Sequence, residues 1–269
     1  MDIILDSLVD TLKLIPFLFV SFIIMELIEH KINSKNKLIK INKYGPIAGA
    51  ILGLVPQCGF SVISATLYSA KVITLGTLFA VFLSTSDEML PILIANMVEI
   101  DIIVNLLLVK FILGLFFGII VDIFYKTKLC NNINEICEND DCHCEESLVK
   151  SSIIHTMKIT FFILIVNIIL NLIVDVDMLS NLLNGNKIFG PIFSSLVGLI
   201  PNCASSVVIT ELYLEKMLSF GNCVSGLLTG SGMGLIILFK QNKNLKESII
   251  ILFLLVLFSI ICGIVINYI

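Results

Sequence analysis

Apolar runs long enough to cross a membrane, parted by short polar stretches, organise this chain from end to end. The run 249–266, IIILFLLVLFSIICGIVI, approaches the roughly 20 apolar residues that a helix needs to span the hydrocarbon core. Spanning strands would alternate apolar and polar residues in segments of about ten, and nothing here alternates in that way. The pattern predicts helices: first helices over about 8–29 and 152–174, interrupted apolar regions over 45–98 and 190–239, and last helices over 102–125 and 247–268.

The two interrupted regions are copies. Residues 45–88 recur without a gap 145 positions later at 190–233, with fifteen of forty-four pairs identical. Matched positions include Gly45/Gly190, Gly53/Gly198, Pro56/Pro201, Cys58/Cys203, Ser61/Ser206, Tyr68/Tyr213, Lys71/Lys216, Gly76/Gly221 and Ser86/Ser231, and the offset extends to Gly118/Gly263. Paired hydrophobic segments interrupted by Gly and Pro at corresponding places in two halves point to a transporter's binding site. The organisation read from this is a first membrane repeat, 1–125, a polar linker, 126–145, and a second membrane repeat, 146–269.

Composition removes the soluble alternative, since 57% hydrophobic and 14% charged residues lie far from the roughly 45–50% and 25% of a soluble domain. The net charge of −4 is dispersed and gives no footing for nucleic acid. Asp2, Asp6 and Asp10 precede the first apolar stretch where a signal peptide would carry basic residues, so that stretch reads as a retained helix.

Orientation follows from the Lys/Arg bias of short loops. Segment 30–43 holds Lys31, Lys35, Lys37, Lys40 and Lys43 with no acid, whereas its counterpart 175–187 has Asp175, Asp177 and only Lys187. Past the interrupted regions the bias reverses, with Glu99 and Asp101 against Lys240, Lys243 and Lys246. The halves therefore read as inverted, with the linker cytosolic and both termini external. An odd number of crossings between 45 and 98 is then needed, which a re-entrant hairpin turning at Pro56-Gln57-Cys58-Gly59 and a helix broken near 84–91 would provide. The fold class expected is an all-α integral membrane protein of two inverted-topology repeats, each with a first helix, a re-entrant hairpin, a broken helix and a last helix.

Candidate chemistry sits at those interruptions. Gln57, Cys58 and Ser61, with Asn202, Cys203 and Ser206, place a thiol, a carboxamide and a hydroxyl at matched tips, where helix ends are ready ion ligands. Kinking and close packing alone would also use Pro, Gly, Ser and Cys. Ser84, Ser86, Asp87 and Glu88 in one half face Ser231 in the other, and Glu211 lies inside a further apolar run. Carboxylates within spanning segments mark ion or proton pathways, unless the helix simply ends there and the acids are solvated. Lys110 could neutralise one of them or, more in keeping with its long stem, snorkel to an interface. The linker's Cys137, Cys142, His143 and Cys144 mix soft and borderline metal ligands at a spacing that is not a zinc-finger pattern. A solvated acidic loop is the alternative there. No phosphate-binding loop or activated nucleophile is present, so neither ATP hydrolysis nor another enzymatic activity is expected.

The segments GLVPQCGFSV, LSTSDEMLP, GLIPNCASSVVITELY and GLLTGSGMG, with DCHCEESLVKSSIIHTMKI between the copies, resemble the ten-helix heavy-metal exporter family of bacteria and archaea, whose members carry the names arsenic efflux protein and manganese transporter. The resemblance implies an inverted-repeat inner-membrane transporter moving a metal or metalloid out of the cytosol. The expected function is secondary export of a manganese- or arsenite-class ion, coupled to the proton gradient. No cofactor is expected beyond the transported ion, and the expected partners are the lipid bilayer and that ion. Cys58 and Cys203 favour a thiophile, while Asp87, Glu88, Gln57, Asn202 and Glu211 favour a hard divalent ion. A membrane thiol-redox or metal-sensing protein without transport is the alternative.

Overall fold

The computed structural model describes residues 44–55, 58–86, 89–125, 157, 161, 188–201, 203–242 and 244–269. Among them every regular element is helical: α1 (Gly45–Gly53), α2 (Cys58–Ser69), α3 (Leu75–Ser84), α4 (Met89–Ala95), α5 (Ile100–Phe124), α6 (Phe189–Gly198), α7 (Cys203–Leu214), α8 (Phe220–Thr229), α9 (Met233–Gln241) and α10 (Leu245–Tyr268). Among the described residues four stretches are long and apolar enough to cross a membrane: α5, α10, and the paired short helices α3–α4 and α8–α9. The segments expected as first helices, 8–29 and 152–174, lie outside the described residues apart from Met157 and Phe161, as does the linker.

The duplicated sequence builds duplicated local structure. In each half a nine- or ten-residue helix starting at Gly-Pro or Phe-Gly-Pro is followed by a twelve-residue helix that starts at the matched cysteine. Each twelve-residue helix ends with its Lys in the left-handed region, Lys71 at φ 59° and Lys216 at φ 60°. There the chain closes the same cap, Lys71 N–H on Tyr68 C=O and Val72 N–H on Leu67 C=O, repeated by Lys216 on Tyr213 and Met217 on Leu212. Such reversed bonds satisfy carbonyls that the helix end would leave orphaned. Thr74 then N-caps α3 by accepting from Thr77 N–H, as Ser219 does for α8 from Asn222 N–H.

The matched glycines mark crossings more than breaks. A Cβ on Gly76 would lie 2.1 Å from the Gly118 carbonyl oxygen, and one on Gly221 would lie 2.5 Å from that of Gly263. Small residues let backbones approach in a medium where burial of apolar surface does not itself drive helix association. These contacts also set directions. Gly45 abuts Thr77 and Gly53 abuts Ser84, so α1 and α3 run parallel; Gly76 meets Gly118 and Gly114 meets Ser84, so α3 and α5 run antiparallel. Gly190 on Asn222 and Gly198 on Thr229 repeat the first relation, and Gly221 on Gly263 the second.

Because α1 travels with α3 while α2 returns to α3's start, α1 and α2 form a hairpin whose turn lies at the C-terminal end of α3. The matching α6–α7 hairpin relates to α8 in the same way. The halves interlock through α2 on α9, α7 on α4, and α3 on α8. The equivalent helices α5 and α10 pass each other antiparallel: Phe117 stacks on Phe258 at 4.3 Å between ring centroids, and Phe124 and Tyr125 at the end of α5 line one cavity with Glu247 and Ile250 at the start of α10. The broken helices occupy the interior, with 89% of the Phe220–Gln241 window buried against 22% for the Ile100–Phe124 window. This arrangement keeps interrupted backbone away from lipid, where unsatisfied peptide groups are costly.

Candidate functional site

Each broken helix opens beside the turn of its own hairpin. In the first half Thr85 N–H closes α3 on Val81 C=O, after which Ser86 donates its N–H to Gly53 C=O (3.2 Å) and its hydroxyl to Leu54 C=O (2.8 Å). Ser84 and Thr85 return their hydroxyl protons to the Ala80 and Val81 carbonyls, both at 2.7 Å. In the second half Thr229 does the same on Ser225 and Gly226, Ser231 N–H reaches Thr229 C=O at 2.7 Å, and Gly232 sits at φ 54°, ψ −140°. A side chain would strain that last conformation. Ser84, Thr85, Ser86, Thr229 and Ser231 are all buried. With their protons spent on backbone, the hydroxyls of Ser84, Thr85 and Thr229 still offer oxygen lone pairs to the interior.

The two openings come together across the repeats. The N-terminal turn of α2 packs on the start of α9, where a Cβ on Gly234 would lie 2.7 Å from the Ser61 carbonyl oxygen. Contact between α7 and α4 repeats this on the other side. Ser61 and Ser206 are buried near these junctions. Thus Ser61, Ser84, Ser86, Ser206 and Ser231, singled out by sequence, fall on the breaks and the hairpin helices that meet them. Cys58 and Cys203 are the first residues of α2 and α7. Glu211 stands exposed on α7, apart from this group. Gln57, Asp87, Glu88 and Asn202 lie outside the described residues, as do Cys137, Cys142, His143 and Cys144 of the linker. Among the described residues no three His, Cys, Asp or Glu side chains gather into a metal site.

Lys110 departs from the sequence expectation. It does not snorkel: the residue is 0% exposed, and its Nζ donates to the Leu227 carbonyl of α8 at 2.6 Å. It lies in the buried stripe Leu106, Lys110, Gly114, Gly118 and Val121 of α5. Contacts of Gly114 with Ala80 and Ser84 put the next turn of α5, which carries Lys110, level with the α3–α4 break. The ammonium then reaches the last turn of α8, where helix carbonyls carry negative partial charge. The match of this position in the second half, 255, is Leu, a sign in the sequence that the place is an interior one.

A second polar cluster was also missed. Tyr68 donates its hydroxyl to Glu247 Oε1, and Lys71 Nζ lies 3.4 Å from the same carboxylate and 5.0 Å from the Tyr68 ring centroid. The cluster ties α2 of one repeat to α10 of the other. Tyr213 and Lys216 repeat the first two members, but Ile102 stands where Glu247 has its match.

Residues 1–181 and 168–269 match, in two overlapping segments that together cover the chain, the family model described as "Putative, 10TM heavy-metal exporter". The chain belongs to this family. No curated protein and no solved structure matches it. Membership accounts for the multi-span, all-helical build, and it makes a heavy-metal ion the cargo and the bilayer the medium.

Proposed function

We propose that the chain is a secondary exporter of a manganese- or arsenite-class ion, carrying it from the cytosol across the inner membrane between two inverted repeats, at the expense of the proton gradient. The observation that carries this reading is the convergence of two broken helices and two hairpin helices on one buried, hydroxyl-lined region. α3 is ten residues long, about 15 Å at 1.5 Å per residue, half of a roughly 30 Å hydrocarbon core. The breaks would thus lie near mid-membrane, where transporters of repeated architecture bind their cargo.

Inversion is supported by the antiparallel passage of α5 and α10, since equivalent helices crossing in opposite senses belong to halves of opposite orientation. The lysines support the cytosolic assignment. Gly45 follows the Lys-rich 30–43 segment, Tyr125 precedes Lys126 and Lys128, and Lys71 and Lys246 flank Glu247 in space or sequence, all at one end of the bundle. At that end the Tyr68–Glu247–Lys71 cluster joins the repeats.

Reconstitution into vesicles tests the reading. A pH gradient should drive Mn²⁺ or arsenite uphill, and Asp87→Asn and Glu88→Gln should abolish the movement while leaving insertion intact, because a carboxylate within a membrane segment is retained for ion traffic. Full transport in both variants would reduce these acids to helix capping. Cys58→Ser and Cys203→Ser divide the substrate classes: both cripple arsenite export and spare manganese if each ion takes the ligands that its softness prefers.

A further inference from the structure

The last helices of the two halves leave a space between them. Where the end of α5 passes the start of α10 lies a cavity of about 370 Å³, walled by Leu75, Val121, Phe124, Leu254 and Phe258, with Glu247 nearest the helix ends. Its size falls within the roughly 300–1,000 Å³ of small-molecule sites. Leu75 begins α3, Phe124 ends α5 and Glu247 stands in the first turn of α10, so three helix ends meet at its mouth on one surface of the bundle. Phe258 lies about three turns of α10 further in than Glu247, or about 16 Å at 1.5 Å per residue, half of a roughly 30 Å hydrocarbon core. The cavity is thus about one leaflet deep, and the stacked rings of Phe117 and Phe258 mark its inner end. Phe124 and Ile250 of its wall are 85% and 56% exposed, which opens it sideways toward lipid. A space lined in this way excludes water and accepts apolar guests.

Its mouth carries charge of a definite sign. The partly exposed Lys71 Nζ lies 3.4 Å from Glu247, exposed Lys246 precedes that acid, and Tyr68 donates to the same carboxylate. Two ammonium groups against one carboxylate leave the rim positive. Asp122 does not line the cavity, and its carboxylate is taken up by Thr74 and Gly76 at the start of α3. At the far end of α5 the matched positions differ, with Asp101 in place of Lys246 and Ile102 in place of Glu247. Basic pockets between transmembrane helices recognise anionic headgroups. We propose that this cavity holds an acyl chain of an anionic phospholipid whose phosphate sits against Lys71 and Lys246, so that one lipid bridges the first repeat, through α5, and the second, through α10. A hydrated ion or a water-soluble anion fits the rim but not an apolar slot of leaflet depth, and a neutral lipid fits the slot but leaves the rim charge unanswered. The assignment goes beyond the export reading and is independent of the ion carried.

The chain has no Trp, so single fluorophores can be placed inside and outside the site. Phe124→Trp puts one on the cavity wall, and Phe253→Trp puts one on the exposed side of α10 away from it. Each full-length chain is reconstituted into vesicles of phosphatidylcholine and phosphatidylglycerol in varied ratio, with brominated acyl chains on one lipid or the other, and quenching is measured. The F124W fluorophore should be quenched by brominated phosphatidylglycerol in preference to brominated phosphatidylcholine, by about fivefold for each lysine, the weight of one basic residue near a charged surface. Raising the salt should shrink that preference, and F253W should show none. In the F124W chain, Lys71→Met and Lys246→Met should each lower the preference about fivefold, and Leu254→Phe, which narrows the cavity, should remove it. If K71M does not insert, K246M, which leaves the Lys71–Glu247 pair in place, carries the charge test. Equal quenching of F124W by the two lipids, the same preference in F253W, or a preference left intact by the lysine changes or by L254F would overturn the inference. So would an F124W chain that neither lipid quenches, since the cavity would then be covered by the protein itself.

Discussion

Gly76 and Gly230 look alike in sequence, each within an apolar run, yet their surroundings differ. A Cβ at 76 would meet the Gly118 carbonyl at 2.1 Å and the Asp122 carboxylate at 2.4 Å, whereas one at 230 finds nothing nearer than 3.5 Å. Gly76→Ala should cost about 1–3 kcal/mol through forced separation of α3 from α5. Gly230→Ala, at φ −66° and ψ 71°, should be neutral or gain about 0.4–1 kcal/mol by restricting the unfolded chain. Reversible unfolding in mixed micelles compares them, and equal losses at both sites would refute the packing account. Asp122 illustrates the same point: it holds the start of α3 by accepting from Thr74 Oγ1 at 2.8 Å and Gly76 N–H at 2.7 Å, a role that Asn267 shares in the second half by bonding Ser219 and Asn222. Residues that sequence offers as breakers or stray polar groups are thus often crossing points and caps.

Between elements, the ion pair of Lys71 with Glu247 links the repeats. Glu247 accepts from both Tyr68 and Lys71, so removing the carboxylate strands two donors while removing Lys71 strands none. Glu247→Leu should therefore destabilise more than Lys71→Met. A double-mutant cycle on Lys71 and Glu247 should return about 0.2–1 kcal/mol, the value of a partly exposed pair, decreasing as salt is raised. A coupling of zero at low salt would mean that the contact is incidental. The broken helices make a complementary point. Gly232 adopts φ 54°, so Gly232→Ala should lower stability and disturb the second break, whereas its match, position 87, carries Asp. Matched positions at the two breaks therefore carry different residues, although the helices that flank them correspond.

At the scale of the molecule, the arrangement predicts sidedness. A tag at residue 36 or 139 should report from the cytosol and one at 184 from outside, with accessibility to a membrane-impermeant reagent as the measure. Tags at 36 and 184 on the same side would break the inverted-repeat account. The physical support is that helices of matched sequence, α5 and α10, lie antiparallel. Each crosses in one direction, and a lipid bilayer gives each end of the bundle a different charge preference.

The sequence by itself determined that the chain is helical and membrane-spanning, that it is duplicated, and where each half is interrupted. Those properties follow from hydrophobic length, from identity at a constant offset, and from Gly, Pro and Ser placed inside apolar runs. It also singled out Ser61, Ser84, Ser86, Ser206 and Ser231, because polar residues in such runs stand out against their neighbours. Tertiary structure alone decided the partners. Pairing of α2 with α9 and of α7 with α4 crosses the repeats, and no local pattern encodes contacts between segments more than a hundred residues apart. It likewise decided that the Lys110 ammonium lies on the Leu227 carbonyl, while Glu211 faces outward. A long side chain in an apolar run can reach water or a partner with equal ease along its own helix, and only the packed neighbours remove one of those choices.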